Sequence, residues 1–268
     1  MMNLVEVKFP GLGIDVNVNP VAFSIGSIEV YWYGLLIASA IVLSVVLAVK
    51  QAKKLYFPET LVYDTVLMII PCAIIGARLY FVACNWDYYG QDLRRIFDFR
   101  SGGLAIYGGV ILVFIGGLVM CRIRKIPFRE LADYCVVYLP LGQAIGRWGN
   151  FFNGEAHGGP TDLPWAILVD GEMVHPTFLY ESIWCLILFF ALSWFDKNKR
   201  TAHGQTLSLY LIFYSLERFF VESLRTDSLM IGPFRQAQVI SVCAIIFGII
   251  LYLWSSKHKP LDAAQDQQ

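Results

Sequence analysis

The sequence is poor in charge. Asp, Glu, Lys and Arg make up 16% of its 268 residues, where a soluble domain carries about 25%. That is too little to cover a water-facing surface. With 57% hydrophobic residues and a mean hydropathy of +0.56, the chain reads as a membrane protein. Neither sign is in surplus, the formal net charge being +0, so the basic excess that holds nucleic acid is missing. The six cysteines (72, 84, 121, 135, 185 and 243) show no CxxC or paired spacing. They read as small buried hydrophobes, not as a metal site or a disulfide framework. His157, His175, Asp162 and Asp170 are loosely grouped but lack a ligand spacing, so no metal and no cofactor is expected. No internal repeat is visible. A cleavable signal peptide is not expected either. The N-terminal stretch contains Glu6, Lys8 and Asp15, and the apolar run after it continues past Ala38-Ser39-Ala40 to Lys50.

What the chain has in abundance is long apolar runs. A spanning helix needs about 20 largely apolar residues. Seven stretches qualify, at roughly 28–49, 62–84, 103–121, 131–151, 178–195, 205–222 and 237–254. The expected fold class is all-α: a polytopic integral membrane protein with seven transmembrane helices. One transmembrane domain covers residues 1–254, and 255–268 forms a disordered tail. Lysine and arginine fall in alternate connections: Lys50, Lys53 and Lys54; Arg122, Arg124, Lys125 and Arg129; Lys197, Lys199 and Arg200; Lys257 and Lys259. That side is the cytoplasm by the positive-inside rule. The 152–177 connection has no Lys or Arg but carries Glu155, Asp162, Asp170 and Glu172. The 85–102 connection balances Arg94, Arg95 and Arg100 against Asp87, Asp92 and Asp98. The N-terminus is therefore expected outside and the C-terminus in the cytoplasm.

Ionisable groups inside spans are costly and mark function by default. With this orientation Arg78, Arg147 and Arg218 fall in the outer halves of their spans, as do Tyr33 and Tyr107, and His175 and Glu181 flank the outer start of the fifth. This points to one polar cavity open to the outer leaflet. Each residue also has a plain structural reading. Arg78 can snorkel to headgroups as an anchor. Arg218 and Glu222, four apart, can be a neutralising helical pair. Tyr33 and Tyr107 suit an aromatic belt. His175 before Pro176 can position the fifth span. The glycine pairs 102–103, 108–109 and 116–117 suit close helix packing.

Residues 146–158, GRWGNFFNGEAHG, resist such readings. On a helix Arg147 and Asn150 share a face, and Gly149 and Gly154 allow the helix to end and turn back. Asn153 and Glu155 then return to the same neighbourhood. An arginine fork binds phosphate in bidentate fashion, asparagine adds neutral donors, and glycine N–H groups can cradle an anion. The stretch suits a lipid phosphate at the outer boundary. In YSLERFFVESLR, 214–225, Arg218, Glu222 and Arg225 share a second face, with Glu217 set apart from it. Positive charge on both sides keeps Glu222 ionised and able to orient an arginine or accept a proton.

GRWGNFFNGEAHG closely resembles the signature of the bacterial prolipoprotein diacylglyceryl transferases. So do VYWYG (30–34), GARLYF (76–81), GGLAIYGG (102–109), HPTFLYES (175–182) and RFFVESLR (218–225), in family order over roughly residues 20–254. The resemblance implies a seven-helix enzyme of the bacterial cytoplasmic membrane. Such an enzyme moves the diacylglyceryl group of phosphatidylglycerol to the lipobox cysteine thiol of a prolipoprotein signal peptide, releasing glycerol 1-phosphate. It places the lipid-binding arginine on Arg147. It places further important positions on Asn150, Asn153, Glu155, Gly158, Arg218, Glu222 and Tyr33. Arg78 joins the expected lipid-binding set. Where some members carry a histidine proposed as the base, this chain has Tyr107. A tyrosine of pKa about 10 is a poor base at neutral pH. Either Tyr107 only hydrogen-bonds substrate, or another residue takes the thiol proton, with Glu155 and Glu222 the candidates. The rival class is a non-enzymatic seven-span lipid-binding or transport protein. A transporter predicts polarity through the full membrane depth and often a repeat; here polarity sits in the outer half.

Overall fold

The computed structural model describes residues 5–26, 28–54, 59–98, 102–155, 157–169, 171–226 and 228–258. Arg100, Asp170, Lys259 and the rest of the tail lie outside them. In chain order the elements are β1 (Val5–Phe9), β2 (Ile14–Val18), β3 (Val21–Ile25), β4 (Ile28–Tyr31), α1 (Trp32–Lys54), α2 (Glu59–Cys84), α3 (Trp86–Tyr89), α4 (Ile106–Arg124), α5 (Phe128–Val136), α6 (Leu139–Phe152), β5 (Ile167–Val169), β6 (Glu172–Val174), α7 (Thr177–Asn198), α8 (Gln205–Leu224), β7 (Met230–Ile231), β8 (Phe234–Arg235) and α9 (Gln236–His258).

The chain is mostly helical, and among the described residues five helices (α1, α2, α4, α7 and α9) are long and apolar enough to cross a membrane. Large apolar side chains stand exposed on all of them, including Val42, Leu67, Val110, Phe190 and Ile250, as a hydrocarbon solvent permits. The other two expected spans differ from a plain apolar helix. The 131–151 run is split between α5 and α6, with Pro140 in the first turn of α6. Proline lacks the N–H needed to extend a preceding helix but suits the start of a new one. Helix α8 carries Glu217, Arg218 and Glu222 near its end. Helix α9 also outruns its expected end: Ser255 is buried and Gln205 Nε2 donates to Ser256 Oγ at 2.9 Å, so 255–258 is ordered helix.

Contacts divide the chain into two compact units, Val45–Leu131 and Met1–Ser44 with Ala132–Gln268. In the first, α2 and α4 touch backbone to backbone. A Cβ on Gly76 would strike the Gly108 carbonyl, one on Gly108 the Gly76 carbonyl, and one on Gly109 the Ala73 carbonyl at 2.9 Å. Gly102 and Gly103 serve a turn instead, with φ of 81° and 77°. That turn wraps Arg78, which is 1% exposed. Its Nε donates to Ile96 O at 2.9 Å, Nη1 to Gly102 O and Gly103 O at 2.6 and 3.1 Å, and Nη2 to Arg95 O and Asp98 O at 2.6 and 2.7 Å. A planar fork can gather carbonyls from several directions at once, so this arginine holds the segment between α3 and α4 in place.

The second unit contains strands that the helical reading did not anticipate. A four-stranded antiparallel sheet runs β2-β1-β5-β6, with Val7 opposite Val16 on one side and Val169 on the other. Its buried face carries Val7, Val18, Ile167, Val169 and Val174 onto Phe151 of α6 and Phe178 of α7. Burying side chains of this size contributes about 1.5–3 kcal/mol each, so the sheet fixes the facing ends of α6 and α7. Trp148 Nε1 donates to Ser182 Oγ at 3.1 Å, and Ser182 Oγ to Ala144 O at 2.9 Å, which binds the two helices along their length.

Candidate functional site

Helices α6, α7 and α8 bring their charged residues to one place. Glu181, four residues into α7, is the centre. Arg147 of α6 pairs with its Oε2; Arg218 Nη1 of α8 lies 3.3 Å and Arg225 Nη1 3.9 Å from its Oε1. Arg218 also pairs through Nη2 with Glu222 Oε2 at 2.7 Å. The carboxylate is 1% exposed, while the arginine side chains keep 18%, 22% and 14%. The glutamate is therefore the hidden partner, and the arginine side chains are the partly exposed ones. An ion pair this buried is held by geometry and hydrogen bonds, not by solvent. It locks three forks in fixed relative positions, ready for an anion with several oxygens. Arg235, at the end of β8, donates to the backbone carbonyls of Glu222 and Arg225 and so ties the following hairpin to the end of α8.

The signature stretch ends α6 beside this cluster. Asn153 caps the helix, and Gly154 follows in the left-handed region at φ 68°. The Glu155 amide then donates to Asn150 O at 3.0 Å, a helix stop of the kind glycine allows. The reversal brings Asn150 Nδ2 and Asn153 Nδ2 to 3.2 and 3.0 Å from Glu155 Oε1, so both amides hold the exposed Glu155 carboxylate. Gly149, expected to help end the helix, instead lies inside it. It leaves room for the Tyr33 ring, whose Cδ2 would stand 2.6 Å from a Cβ there.

The connection after α6 is stitched down at Gly158 and Gly159. Gly158 N donates to His175 O and Gly159 N to Leu224 O, both at 2.8 Å, and Gly158 pairs with Arg225 as an isolated bridge. Leu224 and Arg225 finish α8, so this stitching sets where Arg225 begins its reach. A Cβ on Gly158 would lie 2.7 Å from His175 Cβ, 2.9 Å from Leu224 O and 3.0 Å from Thr177 Cγ2, whereas one on Gly159 would find 3.5 Å or more. Overpacking of that kind costs about 1–3 kcal/mol. Gly158→Ala is expected to lower the unfolding midpoint in detergent by several degrees, with Gly159→Ala unchanged beside it. Equal midpoints for the two variants would mean that the strand-like contact yields freely.

Of the residues singled out from sequence, Arg147, Arg218 and Glu222 meet around Glu181. Asn150, Asn153 and Glu155 form the adjoining turn, Gly158 joins the end of α8, and Tyr33 covers Gly149. Arg78 and Tyr107 belong to the Val45–Leu131 unit. There Arg78 holds backbone carbonyls, and Tyr107 sits in the first turn of α4 with its ring 6.5 Å from that of Tyr80. Glu181 was visible in the sequence only as a carboxylate at the start of an apolar span; three arginines from the ends of two other helices, α6 and α8, make it a hub. Glu217, set apart on a helical wheel, is buried and lies close enough to Arg147, Glu181 and Arg218 to interact with their charges. A wheel misplaces it because α8 is covered from two sides, by α7 and α9, so adjacent positions both face inward.

Comparison with known proteins bears on the same region. The family model described as prolipoprotein diacylglyceryl transferase matches residues 20–254. The chain is 50% identical to a phosphatidylglycerol–prolipoprotein diacylglyceryl transferase of Clostridioides difficile strain 630 over 237 residues, 88% of this chain and 95% of that one. It is 49% identical over 233 residues to the protein of the same name from Finegoldia magna, covering 87% and 94%. It is 42% identical over 257 residues to that of Bacillus cytotoxicus, covering 90% and 94%. The chain belongs to the prolipoprotein diacylglyceryl transferase family.

Proposed function

We propose that this protein transfers the diacylglyceryl group of phosphatidylglycerol to the lipobox cysteine thiol of a prolipoprotein signal peptide, forming a thioether and releasing glycerol 1-phosphate. The observation that carries the reading is the convergence of Arg147, Arg218 and Arg225 on buried Glu181, in a chain of this family. The reaction breaks the bond between the diacylglyceryl carbon and the phosphate ester oxygen, and the electron pair leaves with the phosphate. The thiol sulfur forms a bond to that carbon and gives up its proton to a carboxylate of the site. A free thiol of pKa about 8.5 is only partly ionised near neutral pH. Cationic groups help twice, by favouring the thiolate and by holding charge on the departing phosphate. Arg147 anchors the headgroup and Arg218 stabilises the leaving group. Asn150, Asn153 and Glu155 shape the turn beside them. Tyr33 and Gly158 set the walls. Arg78 acts by ordering the segment before α4.

In this reading α5 with α6, and α8, complete a set of seven spans across residues 1–254. A 20-residue helix such as α8 is about 30 Å long, the thickness of the hydrocarbon core, and its three charged residues lie toward one end, with Arg218 and Glu222 paired. The positive-inside distribution places that end toward the outer leaflet of the bacterial cytoplasmic membrane, with the N-terminus outside. Phosphatidylglycerol and the signal peptide then enter sideways from the bilayer, and glycerol phosphate leaves to the outer water.

Purified protein in detergent, given phosphatidylglycerol and a lipobox peptide, tests this directly. Wild type is expected to raise the peptide's mass by one diacylglyceryl group and to release glycerol phosphate in equal amount. Arg147→Ala is expected to lose about 100-fold or more of that rate, as removal of an oxyanion-stabilising donor does. Folded wild type that leaves the peptide unchanged and releases no glycerol phosphate would make the cluster a lipid-binding site without chemistry.

A further inference from the structure

Four glutamates stand in or beside the arginine cluster, and three of them are committed. Glu181 is shared by three guanidinium groups. Glu222 is paired with Arg218 at 2.7 Å. Glu155 is exposed and accepts from two asparagine amides. Glu217 differs from all three. It is 6% exposed, and neither carboxyl oxygen has a hydrogen-bond donor among the described residues. Native structures rarely leave a buried carboxyl group without partners, and such a group calls for a role. The groups that act on it are Arg147 from α6, Glu181 and Cys185 from α7, and Arg218 on its own helix. It therefore sits among the two arginines assigned to the lipid phosphate, yet is bonded to neither.

We propose that Glu217 is the proton acceptor for the substrate thiol. The inference rests on the transferase reading above and names the base that reading leaves open. Glu181 and Glu222 must each give up an arginine before taking a proton, and Glu155 lies exposed in the turn with two amides on its Oε1, whereas Glu217 is buried beside the arginines with no donor on either oxygen among the described residues. Its acid is neutral and needs no counter-ion once formed. Arg147 and Arg218 act on Glu217 by charge alone, so their engagement by a lipid phosphate adds negative charge beside it and raises its affinity for a proton. Lipid thus binds before the thiol is deprotonated. The balance is complete within the site: the S–H proton passes to Glu217, directly or through one water, as sulfur bonds to the diacylglyceryl carbon. The C–O electron pair leaves on the phosphate, and the proton departs with the phosphate monoester or to outer water.

The test is the pH dependence of turnover for wild type, Glu217→Gln and Glu217→Asp with saturating phosphatidylglycerol and lipobox peptide. Loss of a positioned base typically costs 10²–10⁴-fold. Glu217→Gln is expected to lower kcat about 100-fold near pH 7 while KM for phosphatidylglycerol stays within about threefold. Above the thiol's own pKa of about 8.5 the peptide ionises unaided, and the gap to wild type should narrow. Glu217→Asp should keep a slower but still base-dependent profile, and it carries the test if the glutamine variant is not recovered folded. A Glu217→Gln enzyme with wild-type turnover at every pH overturns the proposal, as does one weakened by the same factor at every pH. Either result beside an active wild type removes only this inference. An inactive wild type removes the transferase reading as well.

Discussion

Glu181→Gln is expected to remove at least about 100-fold of diacylglyceryl transfer and to lower the stability of the folded protein in detergent together with it. The carboxylate is 1% exposed and faces guanidinium groups from α6, from α8 and from the residue just past α8. Glutamine keeps the shape but supplies no charge, and its amide nitrogen points a donor at donors. Breaking a buried ion pair by removing one partner typically costs about 3–5 kcal/mol, because the other partner stays behind uncompensated. Arg218 retains Glu222, so the loss falls chiefly on Arg147. Released from its anchor, that guanidinium no longer holds the phosphate at a fixed distance from the reacting carbon. Misplacement by about 1 Å is enough for a 10²-fold loss.

The stability and activity losses can be separated. Replacing both partners of a buried pair with apolar residues of similar size is often neutral or stabilising. Glu181→Met with Arg147→Met should therefore recover much of the midpoint lost by Glu181→Gln while remaining inactive. Thermal midpoint and peptide mass gain, read on the same preparations, decide it. A Glu181→Gln protein with wild-type kcat/KM would show that the convergence on Glu181 is incidental to chemistry.

How much was legible beforehand depended on whether a residue's partners are near it in the chain. The lipid-facing helices were readable because hydrocarbon demands unbroken apolar sequence, and α2 and α4 lie where the runs at 62–84 and 103–121 suggest. The turn at Gly154 was readable because its elements are local. The sheet was not, although VEVKF and IDVNV alternate as strands do. The pairing that gives β1 its buried face comes from β5, with Val7 opposite Val169, far along the chain. Two such short strands near the start of a membrane protein say little alone. Arg78 shows the reverse case. An arginine in an apolar run reads as a ligand-binding group by default, and only the loop that supplies its five carbonyl acceptors reveals a scaffold role. Glu181 and Glu217 required the arrangement of three helices, which no single periodicity encodes.

The other large effect is expected far from the cluster, at Asp133 in α5. Helix α8 begins at Gly204, whose φ of 99° suits glycine and whose missing side chain leaves the first amides uncapped. Asp133 caps them from another helix. Its Oδ2 accepts from Gly204 N at 2.6 Å and its Oδ1 from Leu207 N at 2.8 Å, and Arg200 Nη1 lies 3.5 Å from Oδ2. The carboxylate is fully buried and lies at the positive end of the α8 dipole. Asp133→Ala orphans two amides and leaves Arg200 with Asp196, 3.4 Å away, a loss on the order of 3–5 kcal/mol. The apparent midpoint should fall by on the order of 10 °C. Asp133→Asn, which still offers an acceptor oxygen, should lose less. Arg218 and Glu222 lie roughly 20 Å further along the same helix at 1.5 Å per residue. Turnover per folded molecule should therefore stay close to wild type even as the yield of folded protein drops. An unchanged midpoint would mean that water caps α8 as well as Asp133 does. A kcat loss matching the stability loss would mean that the whole length of α8 moves when its first turn is freed, making the position of the arginine cluster depend on the far end of the helix.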